Sequence, residues 1–256
     1  MSGEETVHLA GPAMVPLVRA AARLAETELG RFAVIGGVAV TARLGRAHRA
    51  TTDVDTVVDD DAPPDTLDVL RHLDGATFDA VDTHRVYLDG TKVEVIGTGA
   101  VGEPDLDGLD DRQILFVASH RWALESATPV TMTADDGARA IVPMARASAL
   151  VAMKLHAIQD RRVGGGLDKR AGDAWDIYRL LTDLDISVTA AELQSTLEPL
   201  RRVVIAAANE ILVERAGRTS GWLRSGDAEM ASVRADDLAA AGTNLLARMH
   251  SVRSGN

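Results

Sequence analysis

A short apolar run ends in two glycines, a helix-length segment follows, and then comes a strand pattern with aspartates at alternate positions. No other feature restricts the fold of this chain as much. Residues 32–35, Phe-Ala-Val-Ile, run into Gly36-Gly37, the pattern of a buried strand entering a tight turn. Residues 38–44 suit a short helix, and 53–58, Asp-Val-Asp-Thr-Val-Val, suit a second strand. Side chains alternate faces along a strand, so Asp53 and Asp55 share a face while Val54 packs behind. Two carboxylates side by side repel each other unless a cation lies between them. Glu94, set between Val93 and Val95, repeats the pattern of one acid on one face with apolar neighbours on the other. If the two strands are neighbours, the three carboxylates converge, and hard oxygen ligands of this kind suit Mg²⁺. Asp53, Asp55 and Glu94 are therefore the candidate metal ligands. The Gly36-Gly37 turn and the helix N-terminus after it offer backbone N–H groups to phosphate oxygens. Thr52 either adds a hydroxyl to that cradle or is a plain loop residue.

The flanking segments give a coarser pattern. Pro16 suits the first position of a helix over residues 16–29, with Leu17, Ala21 and Leu24 at helical spacing and Gly30 as its stop. Pro63-Pro64 open a helix that runs to about His72. Residues 85–88 and 91–96 flank Asp89-Gly90, a strong hairpin signal, and residues 97–111 read as a loop. A second hairpin joins 129–133 to 138–142 through Asp135-Asp136-Gly137. From Ala145 the pattern is helical almost to the end, with breaks at Gly164-Gly165-Gly166 and Gly221. The expected organisation is an α/β part over residues 1–143 and a helical part over 144–256.

The helical part carries a second constellation. Lys154 falls within the apolar stripe formed by Leu150, Val151, Leu155 and Ile158, where a lysine often snorkels to solvent. Asp173 and Asp176 lie three apart on the helix of Ile177, Leu180 and Leu181 and share a face beside its apolar one. Taken alone, they equally suit a solvated edge. Between the two helices, Arg161, Arg162, Lys169 and Arg170 surround three glycines, the makings of a mobile phosphate clamp or of a surface loop.

Composition narrows the function. With no cysteine, disulfides and thiolate metal sites are excluded. Aromatic residues make up only 3% of the 256, so the core must be built from Ala, Val and Leu. A net charge of −11 argues against a broad nucleic-acid-coating surface, although basic residues cluster at 43–49 and 161–170. The first residues lack the basic and apolar regions of a signal peptide, and no apolar run approaches a membrane span, so the expected compartment is the cytoplasm.

Residues 32–181 resemble the nucleotidyltransferase superfamily that includes DNA polymerase β. Within it, VIGGVAVTARLGRAHRATTDVD, residues 34–55, resembles the AbiEii/AbiGii-type toxins, the nucleotidyltransferase halves of type IV toxin–antitoxin pairs. The resemblance implies an α+β fold, a mixed β-sheet core flanked by helices with a mostly helical C-terminal half that completes the active site. It also implies NTP and Mg²⁺. Gly36 and Gly37 match the glycine turn, which is Gly-Ser in many superfamily members; Asp53 and Asp55 match the metal pair, and Glu94 the third carboxylate. The string ALVAMKLHAIQDRR…KRAGDAWDIYRLL resembles the toxins' lysine-then-Arg-x-x-Asp region, with Ala171-Gly172 between Arg170 and Asp173 where the family more often has Arg-Asp adjacent. By that likeness Lys154 contacts the triphosphate, Asp173 lies on the nucleotide side, and Asp176 orients the nucleotide or assists the attacking group. The activity implied is transfer of NMP to an acceptor hydroxyl, the 3′ end of tRNA, by a toxin with a cognate antitoxin. The same metal site would serve transfer to an antibiotic or a protein, and an inactive nucleotide-binding or partner-binding module is the contrasting reading.

Overall fold

Alternating apolar and polar residues in the first half of the chain form strands that share one sheet. The computed structural model describes residues 5–27, 30–59, 66–78, 85–98, 106–161 and 166–251. The strands are β1 (Glu5–Leu9), β2 (Phe32–Ile35), β3 (Asp53–Val58), β4 (Ala76–Phe78), β5 (Arg85–Leu88), β6 (Thr91–Gly97), β7 (Thr128–Ala134) and β8 (Arg139–Met144). They lie in the order β1-β7-β8-β2-β3-β6-β5-β4. Pairings β1–β7, β2–β8 and β3–β6 are parallel and the others antiparallel, so the sheet is mixed and the fold is α+β. By contact, the chain divides into two compact units, Met1–Pro104 with His120–Arg146, and Asp105–Ser119 with Ala147–Asn256.

The first unit holds the sheet and, among the described residues, the helices α1 (Met14–Ala25), α2 (Gly36–Leu44) and α3 (Thr66–Arg71). Leu17, Val18, Ala21 and Leu24 of α1 are buried, and the helix packs on β8, β7, β3 and β6. The core is aliphatic, as the scarcity of aromatics requires: Val34, Val54, Val57, Val93, Val130 and Val142 are fully buried. The Asp89-Gly90 turn joins β5 to β6, and both residues have positive φ, as a two-residue hairpin turn demands. Arg43 belongs to the interior rather than to a basic surface groove. Its guanidinium donates to the carbonyls of Ala145 and Met144 and to Thr128 Oγ1, at 2.9, 2.7 and 2.7 Å, and pairs with Glu5. It thereby ties α2 to the ends of β8 and β7.

Helix α4 (Asp111–Glu125) divides between the two units at Ser119/His120. The rest of the second unit is helical: α5 (Ala147–Asp160), α6 (Leu167–Thr182), α7 (Ile186–Gln194), α8 (Glu198–Ala208), a π-helical segment (Asn209–Glu214), α9 (Ala216–Leu223), α10 (Ala228–Ala231) and α11 (Ala235–Ser251). Among the described residues Trp175 on α6 is the largest fully buried side chain, and its ring stacks on Tyr178 at 5.8 Å between centroids. Gly242 of α11 lies so close to the π-helical segment that a Cβ would sit 2.7 Å from that of Leu212.

Several local expectations shift. The first helix starts at Met14, two residues before Pro16, and ends at Ala25. Helix α2 begins on the glycines themselves. Gly221 lies within α9 rather than breaking it, because a glycine with ordinary helical φ is tolerated in a packed helix. The edge strands β1 and β4 and helix α4 have no counterpart in the local pattern: β1 pairs with the distant β7, β4 has only 3 residues, and the apolar residues of α4 form no single stripe. Pro63, Pro64, Gly164 and Gly165 lie outside the described residues. Among the described residues, no helix is long and apolar enough to cross a membrane.

Candidate active site

Register assembles the first constellation. Parallel pairing of β3 with β6 sets Asp53 opposite Lys92 and Asp55 opposite Glu94, with Val54 opposite Val93 on the buried face. The expected convergence follows: carboxylate oxygens of Asp53, Asp55 and Glu94 all lie within 4.8 Å of one another. Each side chain is half-buried, open to a ligand on one side and backed by the valine core on the other.

Two cations not foreseen from the sequence share this face. Lys92 Nζ lies 2.6 Å from Asp53 Oδ2 and 3.4 Å from Glu94 Oε2. Arg85, opposite Glu94 on β5, donates through Nε to Glu94 Oε1 at 3.2 Å. Burial pulls the Lys92 ammonium down. The hydrogen bond and charge of Asp53, with Glu94 and Asp55 behind it, outweigh that effect and hold its pKa above the ordinary 10.5. Lys92 stands two residues before Glu94, so strand alternation was the signal that could have placed it on the carboxylate face.

The glycines fit against the same residues. Gly36 has φ +68, and a Cβ there would overlap the Asp55 carboxylate. A Cβ on Gly37 would come within 2.6 Å of Thr51 Oγ1 and 3.1 Å of Arg49 Nη2. No side chain caps the start of α2, so its first N–H groups are left to water or to a ligand. The hydroxyl beside the glycine turn is thus that of the buried Thr51, whereas Thr52 is exposed. The fit to a divalent cation is good: three hard oxygen donors, a backbone that leaves room beside Asp55, and an ammonium already seated between two of the acids.

The second constellation lies wholly within the helical unit. Lys154 Nζ is 2.8 Å from Asp173 Oδ1 and 2.8 Å from Asp176 Oδ2. Arg161 pairs with the other oxygen of Asp173. All three predicted residues are buried, with Asp176 at 0% exposure, so neither a snorkelling lysine nor a solvated acidic edge describes them. Two carboxylates are matched by two cations, the condition for burying such charges. Of the four expected clamp cations, Lys169 is exposed and two are engaged elsewhere. Arg170 is buried with its guanidinium 5.4 Å over the Trp222 ring, Arg161 is held by Asp173, and Arg162 lies outside the described residues.

Both constellations lie within the region matched by one family model, described as the nucleotidyl transferase AbiEii toxin of type IV TA systems, over residues 20–219. The chain belongs to the AbiEii family. It is accordingly a nucleotidyltransferase toxin by family, and the AbiEii match takes in every residue proposed for the site, from Gly36 to Asp176. A comparison with curated proteins found no match.

Proposed function

We propose that this AbiEii-family chain moves NMP from an NTP to an acceptor hydroxyl in a Mg²⁺-dependent reaction, and that the acceptor is the 3′ end of tRNA. The observation that carries the reading is the convergence of Asp53, Asp55 and Glu94 beside the uncapped, glycine-started helix α2. Asp53, Asp55 and Glu94 would hold the metal. Bound there, Mg²⁺ would supply charge neutralisation at the phosphoryl group and its leaving pyrophosphate.

The chain's own groups do the rest. The N–H groups of α2, the Thr51 hydroxyl and the Arg49 guanidinium, which lie together at the glycine turn, would serve as donors to phosphate oxygens. Lys154 is the residue that the family likeness assigns to the triphosphate, and Asp173 and Asp176 hold its ammonium at 2.8 Å each. Asp176, fully buried, acts by orienting Lys154 rather than by touching the acceptor. In the transfer, the acceptor oxygen bonds to the α-phosphorus while the bond to the bridging oxygen breaks. Pyrophosphate leaves, and the hydroxyl proton passes to a carboxylate of the cluster.

The division into a catalytic α/β part, residues 1–143, and a helical part, 144–256, that serves the same reaction rests on the family region spanning both. Type IV membership supports a cognate antitoxin as partner. With NTP and tRNA as its substrates the protein would work in the cytoplasm. The deciding experiment incubates the protein with each labelled NTP, Mg²⁺ and total tRNA. Label on tRNA is expected. Label on protein or on a small molecule instead would replace the acceptor, and absence of both label and NTP binding would overturn the reading.

A further inference from the structure

The carboxylate face of β3 and β6 already contains a cation of its own. Across the sheet, one row reads Arg85, Glu94, Asp55 and the next Tyr87, Lys92, Asp53. Lys92 reaches from the second row into the first, contacting Asp53 Oδ2 and Glu94 Oε2, two of the three acids that can face one ion. Arg85 is anchored on the far side of Glu94, where a planar guanidinium can stay while Glu94 turns its other oxygen inward. Lys92 cannot stay. Its ammonium stands at the oxygens a divalent ion needs, and a charge of +1 beside +2 at such distances is strongly repulsive.

We propose that Lys92 is the resident counter-cation of the Asp53/Asp55/Glu94 cluster, displaced by the divalent ion and passed to the phosphates of the incoming nucleotide. The inference rests on the metal reading given above. Three features carry it. The four-carbon stem of lysine lets the ammonium swing while its root stays fixed in the β6 ladder. The acids lose one cation and gain a doubly charged one, so the freed ammonium needs a new anion. The NTP brings that anion to the neighbouring glycine turn, whose Gly36 lies against Asp55.

It follows that metal and nucleotide binding are coupled. Without nucleotide, Lys92 opposes the metal; with nucleotide, the ammonium has somewhere to go, and the metal binds more tightly. Lys92 is in this sense a positioning residue whose first effect is on metal affinity rather than on rate.

The test measures Mn²⁺ affinity by electron paramagnetic resonance, with and without a non-hydrolysable NTP analogue. Lys92→Met should bind Mn²⁺ about tenfold more tightly than the unaltered protein in the absence of nucleotide. The tightening produced by the analogue should shrink in the same variant. Lys92→Arg, which keeps the charge, should behave as the unaltered protein does, and Lys92→Gln replaces the methionine variant if that one does not fold. Unchanged or weaker Mn²⁺ binding by Lys92→Met would overturn the inference while leaving the metal site standing. Asp55→Asn separates the two ideas: Mn²⁺ binding that survives it would overturn the metal site, and the role of Lys92 with it.

Discussion

Lys154 holds its ammonium 2.8 Å from Asp176, a carboxylate with no exposure to solvent. Asp173 takes the same ammonium from the other side, so one lysine neutralises part of two buried acids. Lys154→Met should therefore cost about 3–5 kcal/mol of stability, because it leaves buried carboxylates without their cation. Adding Asp176→Asn to that variant should recover part of the loss. Urea denaturation of the single and double variants checks this, and a single variant as stable as the parent would show that the pair is not buried as described. Nucleotide affinity of Lys154 variants should fall too, and is best measured well below their melting temperatures.

Asp53→Ala and Asp55→Ala should abolish NMP transfer and leave the fold in place. Each removes one of several clustered acids, which relieves repulsion among those that remain. Melting curves and a transfer assay on the same preparation separate the two effects. Near-parental transfer rates in either variant would remove the metal assignment.

Gly36→Ala should be worse than Gly37→Ala. The first sets a side chain at φ +68 and drives its Cβ into the Asp55 carboxylate, combining backbone strain with loss of the metal face. The second needs only a shift of the Thr51 hydroxyl and the Arg49 guanidinium. The expected outcome is no detectable transfer for Gly36→Ala and about tenfold weaker NTP binding for Gly37→Ala, since one or two phosphate contacts are displaced. Equal, parental NTP affinity in both variants would dissociate the glycine turn from the nucleotide.

The pH dependence of stability should carry a mark of His156. Burial lowers its pKa below the ordinary 6.5, with the Asp160 charge working against that and Arg112 and Arg161 adding to it. The unfolded chain therefore takes up the proton before the folded one does. Stability is lost as pH falls through about 6.5 and below, and no contribution remains at higher pH. His156→Phe, which keeps the ring packed against Phe116, should show a shallower loss of stability between neutral and mildly acidic pH. An unchanged slope would assign the acid sensitivity to other groups.

How far the site could be read before the structure depended on whether its parts are local. Asp53, Asp55, Glu94, Gly36 and Gly37 declare themselves through strand alternation and a turn, both properties of a few adjacent residues. Lys92 shares the face of Glu94 by strand alternation, but its contact with Asp53 depends on the β3–β6 register, as that of Arg85 with Glu94 depends on the β5–β6 register; the nearness of Thr51 to the glycine turn depends on the path of the α2–β3 connection. The apolar stripe around Lys154 does not reveal its burial, because its partners Asp173 and Asp176 sit on another helix. The burial of Arg170 is hidden for a like reason: the Trp222 ring that covers it arrives from α9. Edge strand β1 pairs with β7, far away along the chain, and nothing within Glu5–Leu9 announces that partner.

The parallel ladder of β3 and β6 has one more consequence. Its register alone decides that Asp55 meets Glu94; a slip of one residue would bring a valine there instead and turn the acid to the opposite face. The meeting of the three acids is therefore a property of the closed ladder and of no shorter segment: a peptide covering Asp53–Val58 or Thr91–Gly97 alone carries the acids without bringing them together.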